Sequence, residues 1–189
     1  MKGKFLNNEI WILTFGGGFQ RANIYKKNHP ETVRTAFRSA LRNKIEELVS
    51  KDYKVSVFED SHIENIQSLV TFSKNLKVAN VSIPINFGVA QKLLNLYLKY
   101  QWCLGNLKEN PPHFPVDRLI QIELNKEAKK MNLPRLKVEA WTQFEDDVNY
   151  RKIIDHAKAI RDRKDKKLSL AELELSIFER QSNRDASRY

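Results

Sequence analysis

Asn86-Phe87-Gly88-Val89-Ala90-Gln91-Lys92-Leu93-Leu94-Asn95-Leu96-Tyr97-Leu98-Lys99-Tyr100-Gln101-Trp102-Cys103-Leu104 is the stretch that decides the fold. From about Gly88 to Leu104 it is apolar on much of its circumference, through Leu93, Leu94, Leu96, Tyr97, Leu98, Tyr100 and Trp102. Such a segment reads as a central buried helix rather than a surface one. Elements on either side must then supply its cover. Downstream, Asn110-Pro111-Pro112-His113-Phe114-Pro115 breaks the chain. A further helix is expected from Pro115, burying Val116, Leu119, Ile120, Leu124, Ala128 and Met131.

The same spacing predicts more helices outward. Pro30-Glu31 suits a first turn, followed by Val33, Phe37, Ala40, Leu41, Ile45 and Leu48 on one face. Ser61-His62-Ile63-Glu64 has a capping-box pattern and leads to Ile63, Ile66, Leu69 and Val70. Asp146-Asp147 precedes Tyr150, Ile153, Ile154, Ala157 and Ile160. Ser169-Leu170-Ala171-Glu172 is a second capping box, with Leu170, Leu173 and Ile177 facing inward. Tyr53–Phe58 alternates like a strand or an extended linker. Glu9–Phe15 suits a short strand or a helical turn, and Gly16-Gly17-Gly18 a flexible hinge. Arg161–Lys167 reads as a linker or a solvated helix end. The expectation is an all-α fold with at most one short strand pair. It is a single helical domain over residues 1–189 with a frayed tail from about residue 182.

The 189 residues, 41% hydrophobic and 10% aromatic, suffice for one packed core. Cys103 alone excludes an internal disulfide and a multi-cysteine metal cage; between Trp102 and Leu104 it is expected to be buried. No apolar run is long enough for a membrane span and the N-terminal residues lack a signal-type core, so a cytoplasmic protein without membrane association is expected. The 33 Lys+Arg against 23 Asp+Glu give a net charge of +10. Such an excess draws a protein toward polyanions through counterion release, which points to nucleic acid.

Gly88, Lys92 and Phe114-Pro115-Val116-Asp117-Arg118 carry a more specific signal. The stretch Phe87–Ile120 resembles the active-site region of the helix-hairpin-helix DNA glycosylases, which include endonuclease III-like enzymes and the oxoguanine glycosylases. The archaeal-type oxoguanine glycosylases, with their divergent hairpin, are the nearer comparison. In that superfamily a Gly-x-Gly-x-Lys hairpin opens an apolar helix and a Val-Asp pair starts the next. Here Ala90 replaces the second glycine and Phe87 the usual proline. The resemblance implies a helix-hairpin-helix fold, Lys92 as nucleophile and Asp117 as the second catalytic residue, acting on double-stranded DNA with a flipped base as a monomer. It implies no metal or cofactor; with one cysteine a four-cysteine iron–sulfur cluster is excluded.

Those residue types fit the chemistry. Cleaving an N-glycosidic bond builds positive charge on the sugar, which a carboxylate such as Asp117 stabilises. A neutral lysine can attack the anomeric carbon, and Lys92, in an apolar helix and near Lys99, has surroundings that favour neutrality. Aromatic side chains must hold an extruded base or fill its gap; Phe87, His113, Phe114, Trp141 and Phe144 are the candidates. Gln91 and Arg118 adjoin the catalytic pair as base or phosphate contacts, and the resemblance makes Gly88 the hairpin glycine that contacts DNA phosphate. The histidines His29, His62, His113 and His156 show no ligand spacing, and Glu172-x-Glu174 reads as a cap and a solvated face. Two further classes share the composition: a non-catalytic DNA- or RNA-binding protein, and an interaction or toxin-like module with incidental charge.

Overall fold

The computed structural model describes residues 1–19 and 21–178. The expected frayed tail lies outside the described residues. The fold is all-α: seven helices among the described residues, α1 (Lys2–Phe19), α2 (Glu31–Asp52), α3 (Glu59–Asn75), α4 (Phe87–Cys103), α5 (Arg118–Lys130), α6 (Val148–Lys164) and α7 (Leu170–Ile177). A 3-10 turn, Trp141–Gln143, and one antiparallel pair, β1 (Lys77–Val78) with β2 (Val81–Ser82), complete it. No helix among them is long and apolar enough to cross a membrane.

The expected central helix is the centre. Of the α4 side chains, Phe87, Leu93, Leu94 and Leu98 are fully buried. α1 and α3 pack against this helix, the 3-10 turn covers its N-terminal end, and α5, α6 and α7 pack on one another beside it. The inward stripes of α2, α6 and α7 run as spaced, except that Ala40 is only partly buried, and the capping box at Ser169 and Glu172 is formed in both directions. The charged run spans the solvated end of α6 and the short turn leading into α7, and residues 53–58 form a linker.

Several local expectations are corrected. α3 starts at Glu59, so Ser61 lies within the helix and its capping box is not used; the acidic pair Glu59-Asp60 occupies the first turn instead, where the helix dipole favours it. α5 starts at Arg118, leaving Pro115 and Val116 before the helix and Asp117 as its extended N-cap. Cys103 is exposed, because it closes the last turn of α4 beyond the packed region. The strand pair falls at residues 77–82, joined through Ala79 (φ 47°) and Asn80 (φ 61°), a turn with both central residues left-handed.

The largest correction concerns the triple glycine, which is no hinge. It lies within α1, with Glu9–Phe15 helical before it. The need met here is close approach: a Cβ on Gly18 would stand 2.4 Å from Leu93 Cδ2, and one on Gly17 2.8 Å from Leu96 Cδ1. Small residues on this face let α1 settle against the bulky leucines of α4, and Trp11 stacks on Tyr97 with centroids 4.6 Å apart. A Cβ on Gly16 would meet nothing within 4 Å. Gly16→Ala is therefore expected to stabilise the protein by about 0.5–1 kcal/mol through helix propensity. Gly18→Ala should destabilise it by about 1–3 kcal/mol through overpacking. Denaturant midpoints of the two variants would check the opposite signs.

Candidate active site

The catalytic pair expected from the sequence is assembled between two helices. Lys92 projects from the second turn of α4, and its Nζ donates to Asp117 Oδ2 at 2.6 Å. Asp117 Oδ1 accepts from the Ile120 N–H at 2.9 Å, capping α5. The carboxylate thus meets both a cation and the N-terminal end of a helix. The exposures differ: the Lys92 side chain is 7% exposed, that of Asp117 24%. Burial pulls the Lys92 amine below the ordinary lysine range, and the charge and hydrogen bond of Asp117 oppose that pull.

Gln91 fixes where Asp117 stands. Its Nε2 donates to the Val116 carbonyl at 2.8 Å and its Oε1 accepts the Val116 N–H at 3.1 Å. The amide mimics a neighbouring strand and clamps the backbone one residue before the carboxylate. Behind it, Asn95 Nδ2 donates to Tyr150 Oη at 2.9 Å, and that hydroxyl lies 3.1 Å from His113 Nδ1. Gln91, Asn95, His113 and Tyr150 are all buried. They bind the Pro-rich loop to α4 and α6 at the level of the pair.

On the other side Gln121 reaches across to Glu139, donating to its carbonyl at 3.1 Å and accepting its N–H at 2.8 Å. This holds the chain leading into the 3-10 turn, where the Trp141 ring centroid is 5.9 Å from Lys92 Nζ, within cation–π reach. Trp141 is 7% exposed and walls one side of the pair.

The other expected contacts fare differently. Phe87 and Phe114 are core side chains, Phe144 packs under the 3-10 turn, and His113 belongs to the buried network, so none of the four presents a face to a base in this conformation. Gln91 is spent on Val116 rather than on nucleic acid. The Gly88 amide donates to the Phe144 carbonyl at 3.0 Å, so it is occupied by the chain itself instead of being free for phosphate. Arg118 is exposed beside Asp117 and makes no ion pair among the described residues. Trp141 lies next to the pair but is buried in the same core, so it too presents no open face to a base. Arg118 is the exposed one of the proposed contact residues beside the pair.

Glu174 faces inward, not onto the solvated face expected for Glu172-x-Glu174. It is 2% exposed, and both carboxylate oxygens accept from Lys99 Nζ, at 2.6 and 2.7 Å. The signal was present: Leu170, Leu173, Glu174 and Ile177 share one face of α7 at helical spacing, so position 174 had to be inward. Burial raises its carboxyl above the ordinary range, against the pull of Lys99.

The histidines form a second buried polar region. His62 and His113 meet edge to face with centroids 4.9 Å apart, and His62 Nδ1 lies 2.7 Å from Tyr53 Oη. Burial holds both imidazoles below the ordinary value of 6.5. The unfolded chain takes up protons from pH 6.5 downward where the folded chain does not, so their contribution is full above that pH and is lost as pH falls. Glu59, whose pKa is pushed down to about 2 by His113 and Lys158, adds a loss from about pH 4.5 downward. Thermal melts between about pH 8 and 4 should show stability falling below pH 6.5, with His62→Phe flattening the upper part of the decline.

Fold and site together define an all-α protein with a lysine–carboxylate pair set between its central helix and the cap of the next. No protein-family model matches the chain, and neither the curated proteins nor the solved structures gave a match.

Proposed function

We propose that the protein is a DNA glycosylase that removes a damaged or modified base from double-stranded DNA. The observation that carries the reading is the Lys92–Asp117 pair, 2.6 Å apart, with a partly exposed carboxylate beside a nearly buried amine. In the reaction a neutral Lys92 Nζ bonds to the anomeric carbon as the N-glycosidic bond breaks. The base leaves with the bonding electrons and takes up one amine proton. The bond from the anomeric carbon to the ring oxygen then opens, its electrons and the second amine proton go to that oxygen, and the nitrogen lone pair closes the imine. Asp117 stabilises the positive charge that develops on the sugar. The net charge of +10 supplies attraction to the phosphate backbone, and the exposed Arg118 next to Asp117 supplies a cation for it beside the pair. The protein acts as a cytoplasmic monomer, on a lesion in the cell's own DNA or on a hypermodified base in phage DNA.

A second reading is a non-catalytic DNA- or RNA-binding protein. It is favoured by the burial of Lys92, whose amine is already held by Asp117 and walled by Trp141. Borohydride trapping separates the two. Under the first reading a covalent adduct forms with substrate DNA, maps to Lys92 and is absent in Lys92→Ala. Binding to every duplex without an adduct or base release would favour the second.

A further inference from the structure

Lys99 lies seven residues after Lys92 on α4, two turns along the same face. Each lysine donates to a carboxylate from a different helix: Lys92 to Asp117 at the start of α5, and Lys99 to Glu174 within α7. The second pair is the more enclosed, with side chains 15% and 3% exposed. A buried ion pair is poor evidence of stabilisation, since desolvation offsets much of the attraction, and an apolar pair of similar size does as well or better. Its presence beside another buried lysine therefore asks for a different account.

We propose that the Lys99–Glu174 pair tunes the charge state of Lys92, with Glu174 holding the amine protonated and Lys99 opposing it. The proposal rests on reading Lys92 as a nucleophile, since only a reacting amine needs its proton affinity set. Four groups occupy this environment: Asp117 from the α5 cap, Glu174 from α7, and Lys92 and Lys99 from α4. Trp141, which also faces Lys92, carries no charge. Charges at this depth interact more strongly than in water, so the pair acts on Lys92 without touching it. Burial acts most strongly on the Lys92 amine and Asp117 next; Glu174 favours the ammonium and Lys99 disfavours it more weakly. Lys99 and Glu174 are thus positioning residues that act through Lys92.

The test follows the Lys92 ammonium itself, by NMR titration of its 13Cε signal in the full-length protein without DNA. The signal is assigned by its loss in Lys92→Met. Glu174→Gln leaves a lone cation nearby and should move the Lys92 midpoint down by about one pH unit, tenfold in the proton equilibrium. Lys99→Met leaves a carboxylate in search of a partner and should move it up. The double variant Lys99→Met/Glu174→Gln removes both charges and should fall between the two. If Glu174→Gln fails to fold, Lys99→Met and the double variant decide the matter. An unmoved midpoint, or the same direction of shift in every variant, overturns the proposal, because loosened packing acts without regard to sign. The titration needs no substrate. Opposite shifts with no base release on any duplex would therefore keep the tuning and defeat the glycosylase reading. Base release without opposite shifts would do the reverse.

Discussion

On the proposed glycosylase reading, Asp117→Asn is expected to slow base release by about 10²–10³-fold, the scale of losing one preorganised electrostatic partner of a transition state. The substitution isolates charge from structure. Asn caps a helix as well as Asp does, so the bond from the Ile120 N–H to Oδ1 survives and α5 still begins at Arg118. What disappears is the negative charge 2.6 Å from Lys92 Nζ. The amine loses its counter-ion in a nearly buried place and becomes neutral more readily, which limits the cost in stability to about 1–3 kcal/mol. Single-turnover rates corrected for the folded fraction separate that cost from the chemical effect. A variant that folds and releases base at the wild-type rate would remove Asp117 from the mechanism.

Gly88→Ala should be the most damaging small substitution in the protein, costing more than about 4 kcal/mol. An added Cβ would stand 1.8 Å from the Trp141 carbonyl oxygen and 3.3 Å from Phe144 Cβ. The first obstacle is backbone, so no side-chain rotation relieves it. The Gly88 N–H also donates to the Phe144 carbonyl, which ties the 3-10 turn directly to the N-terminal end of α4. Relief requires lifting residues 141–144 from the helix and exposing Trp141, Phe144 and the fully buried Phe87. The variant should denature at far lower urea than wild type, with Gly16→Ala shifted slightly the other way. A loss below about 1 kcal/mol would show that the turn is not seated on α4 as described.

How far the sequence reached depended on whether each residue's role was local. α4 was legible because its apolar residues surround the helix, and α7 because both halves of its capping box lie within four residues. Lys92 and Asp117 could be named in advance from the order of motifs, while their 2.6 Å contact required the Pro-rich loop to fold back. Gly16–Gly18 misled because glycine serves a hinge and a close helix contact alike, and only Leu93 and Leu96 on α4 decide between them. The β1–β2 turn was hidden because Ala79 holds a left-handed position where Asn or Gly would have announced it. Phe87, Phe114 and Gln91 were assigned outward roles from their nearness to the pair in sequence. Only the packing of α4 against the 3-10 turn and the 113–117 segment turns them inward.

In the proposed function the Lys92–Asp117 pair breaks an N-glycosidic bond. The most direct test of this step is incubation of the purified protein with duplexes that each carry one damaged or modified base, then treatment with hot alkali. An alkali-labile site at one of those bases, absent with Asp117→Asn, is the expected result. Intact glycosidic bonds across the series, with every duplex tightly bound, would contradict it and leave the non-catalytic nucleic-acid-binding reading.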